Sequence, residues 1–203
     1  MLLRPVLTPA RMRALEKEAF GRGLSPLLLM EDAAREMHRR IRELLPQNAR
    51  TAAVFCGSGN NGGDGLALAR LFQKDGFQVT VFLPSPPRTA EAMENLRCLS
   101  ALGIPVTDEM PAELSFDFAV DAFFGTGFHG TPEPPYDAWI RAVNEGRFQT
   151  LFSVDIPSGM DGAVGTAARD ENGVPLCVRA DWTLVLGFPK AGLLAGPDRS
   201  FCG

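Results

Sequence analysis

Val54-Phe55-Cys56-Gly57-Ser58-Gly59-Asn60-Asn61-Gly62-Gly63-Asp64-Gly65 is the segment that most clearly indicates how this chain is organised. The apolar run that leads into it, 52–56, is typical of a buried strand, and the run that follows, 66–72, of a helix. Five glycines lie between the two runs, within residues 57–65. This order predicts an anion-binding turn, because glycine permits φ above zero and close approach of a ligand. The free N–H groups at the start of the helix attract negative charge.

The polar side chains of this loop favour a ligand site over a simple Gly/Asn turn, although both residue types are common in turns. Asn60 and Asn61 supply amide donors and acceptors, and Asp64 supplies a carboxylate. A loop that only reversed the chain would not need these three groups between a strand and a helix.

The glycine spacing also satisfies G-x-G-x-x-G, which alone is a weak signal for a dinucleotide. In dehydrogenases an acidic residue follows the next strand, about 20 residues later, and binds the ribose. Here the next predicted strand is 78–83, and Pro84-Ser85-Pro86-Pro87 follows it. The sequence therefore disfavours an ordinary NAD dehydrogenase and retains a nucleotide as ligand.

Composition limits the class of protein. The 203 residues are 45% hydrophobic and 22% charged, which is ordinary for a globular domain, and the net charge of −4 disfavours a nucleic-acid binder. No apolar run approaches the roughly 18 residues of a membrane span, and residues 1–5 lack the apolar segment of a signal peptide. The four cysteines are far apart, as in reduced thiols. We expect a cytoplasmic protein without membrane contact.

Strand and helix patterns alternate after two N-terminal helices that form an arm over about 8–45. Strands are predicted at 52–56, 78–83, 105–106, 116–124, 150–154 and 181–186, and helices at 66–74, 88–102 and 136–144. This alternation predicts a three-layer α-β-α Rossmann-like fold, with a mostly parallel, doubly wound sheet. No linker divides the chain, so we expect one domain over 1–203.

Three loops should meet at one edge of this sheet, since 57–65, 125–130 and 155–161 each follow a predicted strand. They would gather a set of oxygen-bearing side chains: Asn60, Asn61, Asp64, Asp121, Thr126, Asp155 and Ser158. Such a set suits a hard cation and not zinc or a redox metal. For Asp121 the alternative is a carboxylate that only braces its loop.

Two other kinds of site are disfavoured. Ser158, His129 and either Asp121 or Asp155 contain the residue types of a hydrolase triad, but Ser158 lacks the G-x-S-x-G elbow. Cys56 is a poor nucleophile candidate because it lies within a predicted core strand.

Several motifs together resemble the NAD(P)H-hydrate epimerases, the YjeF N-terminal domain family. The loop 57–65 is similar to the signature of that family. Four further segments resemble its other motifs, in the same order along the chain: Leu29-Met30-Glu31-Asp32-Ala33, Asp121-Ala122-Phe123-Phe124-Gly125-Thr126-Gly127, Asp155-Ile156-Pro157-Ser158-Gly159 and Phe188-Pro189-Lys190-Ala191-Gly192-Leu193. Two departures are mild: Ser58 replaces the usual proline, and Asp32 the usual asparagine.

The resemblance implies epimerisation of the R and S forms of hydrated NADH or NADPH. A partner ATP- or ADP-dependent dehydratase would then restore the cofactor. It implies a homodimer through the N-terminal helices, and a K+ ion held by Asn61, Asp121 and Ser158. The implied substrate-binding residues are Asn60, Asn61, Gly62, Gly63, Asp64, Gly125, Thr126, Gly127, Phe128, His129, Gly130, Thr131 and Asp155.

For the catalytic acid/base we expect Asp155, with Asp64 as the second choice, because a carboxylate suits proton transfer to a hydroxyl. The alternative function is a non-catalytic nucleotide-binding or dimerisation module, as in the mRNA-decapping enhancer family. A fused dehydratase domain is absent from these residues, so a stand-alone protein and a part of a bifunctional one both remain open. The preference between NADH and NADPH hydrates also remains open.

Overall fold

Six strands form a single sheet in the computed structural model, which describes residues 5–203. The strands are β1 Thr51–Cys56, β2 Gln78–Phe82, β3 Val106–Thr107, β4 Phe118–Ala122, β5 Thr150–Val154 and β6 Trp182–Leu184. The helices are α1 Pro9–Gly21, α2 Pro26–Leu44, α3 Asn60–Lys74, α4 Ala90–Ala101, α5 Tyr136–Glu145 and α6 Ala191–Ala195, with a 3-10 turn at Arg199–Phe201. Most of the signal-peptide prediction, residues 1–4, lies outside the described part.

The strand order is β3-β2-β1-β4-β5-β6, and every pairing between these strands is parallel. From β1 the chain adds β2 and β3 on one side of the sheet, and from β4 it adds β5 and β6 on the other side. In such doubly wound sheets the ligand crevice lies where the order reverses, which here is between the carboxyl ends of β1 and β4. The predicted α/β class is confirmed.

Alternate residues of the central strands pack on opposite faces of the sheet. From β1, Val54 packs with α2, α3 and α4 in one core, while Phe55 packs with α5 in the other. Phe55 and Phe82 stack with ring centroids 4.9 Å apart in that second core. The sheet is therefore the middle of three layers. Because both of its faces are buried, the sequences of its strands are nearly continuous apolar segments.

Helix α3 begins earlier than the sequence predicted. Its first turn starts at Asn60, so 60–65 belongs to the helix and not to a loop. None of the five glycines in 57–65 has a positive φ. Four of them, all except Gly59, are required by close packing instead: a methyl group at Gly62 would overlap the carbonyl oxygen of Gly57, and one at Gly57 would overlap that of Phe123.

Two strands are shorter than predicted. The run 116–124 contributes β4 only over Phe118–Ala122, and 181–186 contributes β6 only over Trp182–Leu184. Beyond β6 the backbone leaves the sheet, because the N–H of Leu186 donates to the carboxylate of Asp155 (3.2 Å) and not to a neighbouring strand.

The N-terminal arm is fixed to the rest of the domain just before α1 and in the first half of that helix. Before the helix, the N–H of Leu7 donates to Pro189 O (2.9 Å). Within it, Arg13 Nη1 donates to Thr126 O (2.9 Å). Thr8 caps α1 by accepting from the N–H of Arg11 (3.3 Å). Among the described helices, none has the length and apolar character that crossing a bilayer requires.

The start of β1 is tied to the start of β4 by Asp117. One oxygen of its carboxylate accepts from the N–H groups of Arg50 (2.7 Å) and Thr51 (2.9 Å) and from the Thr51 hydroxyl (3.0 Å). The two backbone bonds hold the pKa of Asp117 below its usual value of 3.8. Asp117 therefore stabilises the fold above the unfolded-state pKa, and this contribution is lost as the pH falls through the lower folded-state pKa.

We expect Asp117→Ala to lower the free energy of unfolding at pH 7 by about 2 kcal/mol, since three hydrogen bonds to a charged acceptor are lost. The difference in free energy of unfolding between this variant and the wild type should narrow below about pH 4, which is the pKa of an aspartate in an unfolded chain. Urea unfolding at pH 7 and pH 3 measures both. Asp108→Ala is the control, since Asp108 is exposed; an equal loss in both variants would contradict the prediction.

Candidate active site

A cavity of about 680 Å³ opens at the carboxyl ends of the strands. The elements around it are α1, the start of α2, the amino ends of α3 and α4, the loop after β4, and the segments after β5 and β6. The residues that line it include Met12, Arg13, Glu16, Phe20, Met30, Ser58, Asn60, Asn61, Asp64, Thr89, Glu91, Phe128, Asp155 and Lys190. Its volume is in the range of small-molecule and cofactor pockets.

One end of the cavity is formed by the amino ends of two helices. Gly59, the N-cap of α3, provides no side-chain cap, and it lines the cavity with Asn60 and Asn61. Thr89, the N-cap of α4, lines the same end, and the N–H of Arg88 donates to Ser58 O (2.7 Å). The uncapped N–H groups of α3 make this end suitable for a phosphate or another anion.

The floor of the cavity holds a buried ion pair between Asp155 and Lys190. Lys190 is only 1% exposed, and its Nζ also donates to Leu186 O (2.7 Å). The second oxygen of Asp155 accepts from the N–H of Thr126 (3.3 Å). Asp155 has φ of 66°, a left-handed conformation that is uncommon outside glycine. The carboxylate is therefore held from several sides at the end of β5.

Asp121 lies beneath this floor and is completely buried. Its carboxylate accepts from Ser153 Oγ (2.8 Å), from the N–H of Phe123 (3.2 Å), and from both the N–H (2.8 Å) and the hydroxyl of Ser158. Burial raises the pKa of Asp121, and these bonds partly offset the rise. Through these bonds Asp121 joins β4, β5 and the loop that follows β5.

Two more carboxyl groups line the cavity. Asp64, in the first turns of α3, is buried, and burial raises its pKa well above the usual value, with smaller contributions from the charges of Asp155 and Glu16. Glu16, on α1, is half-buried, and its pKa is raised by burial and then by Asp155. Both groups are therefore biased toward the protonated form.

The cavity unites most of the residues that the sequence suggested for substrate binding. Nine of them line it: Asn60, Asn61, Asp64, Gly125, Thr126, Gly127, Phe128, His129 and Asp155. Four do not: Gly62 and Gly63 are buried inside α3, Gly130 is at a turn with φ of 86°, and Thr131 is exposed. The three candidate metal ligands divide, since Asn61 lines the cavity while Asp121 and Ser158 lie beneath it.

The disfavoured hydrolase triad is not assembled. His129 Nδ1 lies 3.3 Å from Asp161 Oδ2, at the surface. The Ser158 hydroxyl donates to Asp121 and accepts from the N–H of Phe124 (2.9 Å). Cys56 is completely buried, and burial raises the pKa of its thiol, so it is not a reactive thiolate.

Sequence reasoning missed four charged residues that line the cavity: Arg13, Glu16, Glu91 and Lys190. Lys190 lies within an apolar and glycine-rich segment after a strand, and a lysine in that setting is itself a signal. Glu16 lies four residues after Met12 and four before Phe20, a spacing that places all three on one face of α1. Arg13 gave no signal, because its contact is to the backbone of Thr126, far away in sequence.

Comparison with known proteins identifies the family. Residues 27–192 match the family model described as YjeF-related protein N-terminus. The bifunctional NAD(P)H-hydrate repair enzyme Nnr of Archaeoglobus fulgidus is 35% identical over 181 residues, which are 89% of this chain and 36% of that protein. The NAD(P)H-hydrate epimerase of Plasmodium vivax is 34% identical over 168 residues, 81% of this chain and 56% of that protein.

The chain therefore spans between about a third and just over half of the length of these relatives. A solved structure, that of yeast ynu0 (YNL200c), superposes with a TM-score of 0.79 over 97% of this chain and 86% of the yeast chain. At 22% identity it shows a shared fold. Since the family model matches most of the 203 residues, this chain belongs to the family of the YjeF-related protein N-terminus.

Proposed function

We propose that this chain is an isomerase that interconverts the R and S epimers of hydrated NADH and NADPH, a reaction of metabolite repair. Relatives named for NAD(P)H-hydrate epimerisation or repair align with most of this chain at 33–38% identity, which supports the proposal. The substrate carries a hydroxyl on its reduced nicotinamide ring, next to the ring nitrogen. Inversion at that carbon needs proton transfer to and from oxygen.

The observation that carries the proposal is the juxtaposition, in one cavity, of an anion-binding helix end and a buried acid–base pair. The uncapped end of α3 at Gly59 suits the phosphates of a dinucleotide. Asp155 and Lys190 on the floor suit the reacting ring, because a carboxylate held by several donors keeps one orientation. A module that only bound nucleotides or other copies of itself would not need a buried lysine–carboxylate pair.

In this mechanism Asp155 moves the proton at the hydroxyl of the ring. The hydroxyl is lost as water and water returns on the other face, or the ring opens and closes again; both routes need a proton donor and acceptor at that oxygen. Lys190 orients Asp155 through their ion pair. Asp64 is the alternative acid, since the raised pKa described above leaves it able to donate a proton.

Potassium fits a set of three residues, of which one lines the cavity and two lie beneath its floor. Asn61, Asp121 and Ser158 offer oxygen donors, as hard cations prefer, and Asp121 and Ser158 are completely buried. The Ser158 hydroxyl has a second acceptor in Phe124 O (3.4 Å), so it has an alternative to its bond with Asp121. A bound cation would balance the buried carboxylates and fix the loops, and it would supply no chemical step.

Potassium should therefore stabilise the protein more than other monovalent cations do. At equal ionic strength we expect a higher Tm in KCl than in choline chloride, by about 2–4 °C for each kcal/mol of binding free energy. Asn61→Ala should abolish the difference. Thermal unfolding followed by circular dichroism measures it, with NaCl as a second reference. An equal Tm in the three salts would reject the potassium site, and an unchanged difference in Asn61→Ala would reject Asn61 as a ligand.

The function itself is tested by chromatography. The purified chain is mixed with one separated epimer of hydrated NADH, and in parallel of hydrated NADPH, and appearance of the other epimer is followed against buffer alone. Conversion no faster than in buffer would reject the proposal. The two substrates, compared by kcat/KM, also give the preference that the sequence leaves open.

Three further proposals concern the partner enzyme, the oligomeric state and the location of the protein. We propose that an NAD(P)H-hydrate dehydratase, in the same polypeptide or separate, consumes the product, as the bifunctional relatives suggest.

A homodimer through the N-terminal helices is supported by the exposed Leu24, Leu27 and Leu28, and a monomer in sedimentation equilibrium would contradict it. A cytoplasmic location is supported by four free cysteines and is tested by cell fractionation.

A further inference from the structure

The cavity has a wall that no motif of the chain suggested, and helix α1 forms it. Met12, Glu16 and Phe20 follow one another at intervals of four residues, so they share one face, and all three line the cavity. Glu18 is the other acid of this helix, and it forms an exposed ion pair with Arg22 (2.6 Å). The match to the family model begins at residue 27, after α1 has ended, so it assigns these residues nothing.

This wall is attached directly to the parts of the cavity that hold Asp155 and Lys190. Arg13 binds the backbone of Thr126, whose own N–H donates to Asp155 (3.3 Å). Leu7 pairs with the segment around Lys190, since it donates to Pro189 O (2.9 Å) and accepts from the N–H of Ala191 (3.3 Å). Glu16 is therefore presented from a helix that is anchored at both sides of the floor.

The carboxyl group of Glu16 has no hydrogen bond or ion pair with any residue in 5–203, although it is half-buried. The charged groups that face it are Asp155 and Lys190 on the floor, Arg13 on its own helix and Asp64 on α3. A half-buried acid without a partner is not explained by stability, because burial of an unpaired carboxyl costs free energy. Burial and then the charge of Asp155 raise the pKa of Glu16, which is the direction that favours a proton donor.

We propose that Glu16 is a second catalytic acid/base, which acts on the substrate from the α1 wall while Asp155 acts from the floor. This inference rests on the proposed epimerase function. An epimerase that removes water from one face of a ring and returns it to the other needs a proton donor and a proton acceptor on two sides. Glu16 and Asp155 come from different elements that border the same cavity.

The step balances without any further reactant. Protonated Glu16 gives its proton to the ring hydroxyl, the C–O bond breaks, and water leaves. The lone pair of the ring nitrogen forms a C=N bond, so the ring carries the positive charge. Water then attacks the same carbon from the other face, Asp155 takes its proton, and the C=N pair returns to nitrogen. One proton has moved from Glu16 to Asp155, and the opposite epimer follows the same path in reverse.

The test compares Glu16→Gln with Glu18→Gln, which makes the same change two residues away at the surface. We expect Glu16→Gln to lower kcat by about 100-fold or more in both directions, within the usual range for general acid catalysis. KM should change by less than about twofold, since glutamine keeps the shape of the wall and the other wall residues hold the substrate. Glu18→Gln should match the wild type, and Glu16→Asp should recover part of kcat.

Thermal unfolding of each variant separates catalysis from folding, because removal of an unpaired carboxyl should leave the Tm of Glu16→Gln equal to that of the wild type or higher. A kcat of Glu16→Gln within about threefold of the wild type, or a loss that appears only in KM, would overturn the role of Glu16 while leaving the epimerase function intact. A wild-type chain that does not convert either epimer would reject the proposed function, and the role of Glu16 with it.

Discussion

Replacing Asp155 with asparagine is expected to lower kcat for the proposed epimerisation by about 10²–10⁴-fold, the usual contribution of a general acid or base. The amide has nearly the same shape as the carboxylate but takes up no proton. Asparagine also tolerates the left-handed φ of 66° at this position better than alanine does. Steady-state kinetics with both epimers measures the loss, and an Asp155→Asn variant of near wild-type kcat would exclude Asp155 as the acid/base.

The ion pair between Asp155 and Lys190 also leads to a prediction about stability. Lys190→Met leaves Asp155 as a buried charge without its partner, which typically costs about 3–5 kcal/mol. The double variant Asp155→Asn, Lys190→Met should recover most of that free energy of unfolding but none of the activity, because it removes both charges together. Lys17→Met, on the exposed side of α1, is the matched control. Additive losses in the double variant would show that the two side chains do not interact.

The second large effect is expected at Gly62. We expect Gly62→Ala to destabilise the protein by more than about 4 kcal/mol, a loss reached only by disruption of the backbone or core. The added methyl would overlap the carbonyl oxygen of Gly57, and a backbone atom at the end of β1 cannot move aside as a flexible side chain would. Soluble yield and urea unfolding measure the effect.

Gly59→Ala is the control for this prediction. It lies three residues earlier, in the same glycine-rich segment, and nothing within 4 Å would meet the added methyl. Its φ of −97° is open to alanine, so the cost should be that of a poorer N-cap, about 1 kcal/mol or less. Equal destabilisation of both variants would mean that general loss of glycine, and not the contact with Gly57, is responsible.

These glycines also show how far the sequence determines the site. Their position between a strand and a helix was enough to predict an anion-binding end, and the cavity does contain the uncapped start of α3. The helix boundary was wrong because glycine and asparagine are poor helix formers by intrinsic propensity. Packing of α3 against Gly57 and Met30 overrides that propensity, and such tertiary contacts are not visible in a local sequence pattern.

The pairing of Lys190 with Asp155 could not be predicted from the sequence, for a different reason. Strand alternation predicts which loops meet at the sheet edge, so Asp64 and Asp155 could be assigned to one site before the fold was known. A pairing between Asp155 and Lys190 depends on how the chain turns after β6, where the backbone leaves the sheet. Glu16 depends in the same way on the docking of α1, which is set by long-range contacts to Thr126 and Pro189.

The anchoring of α1 has a practical consequence for anyone who defines the domain by homology. A fragment cut to residues 27–192 would retain all six strands, yet it would open one side of the cavity and expose the apolar surface around Met30 to water. The scaffold that relatives share lies within residues 27–192, whereas enclosure of the cavity also depends on α1, which precedes it.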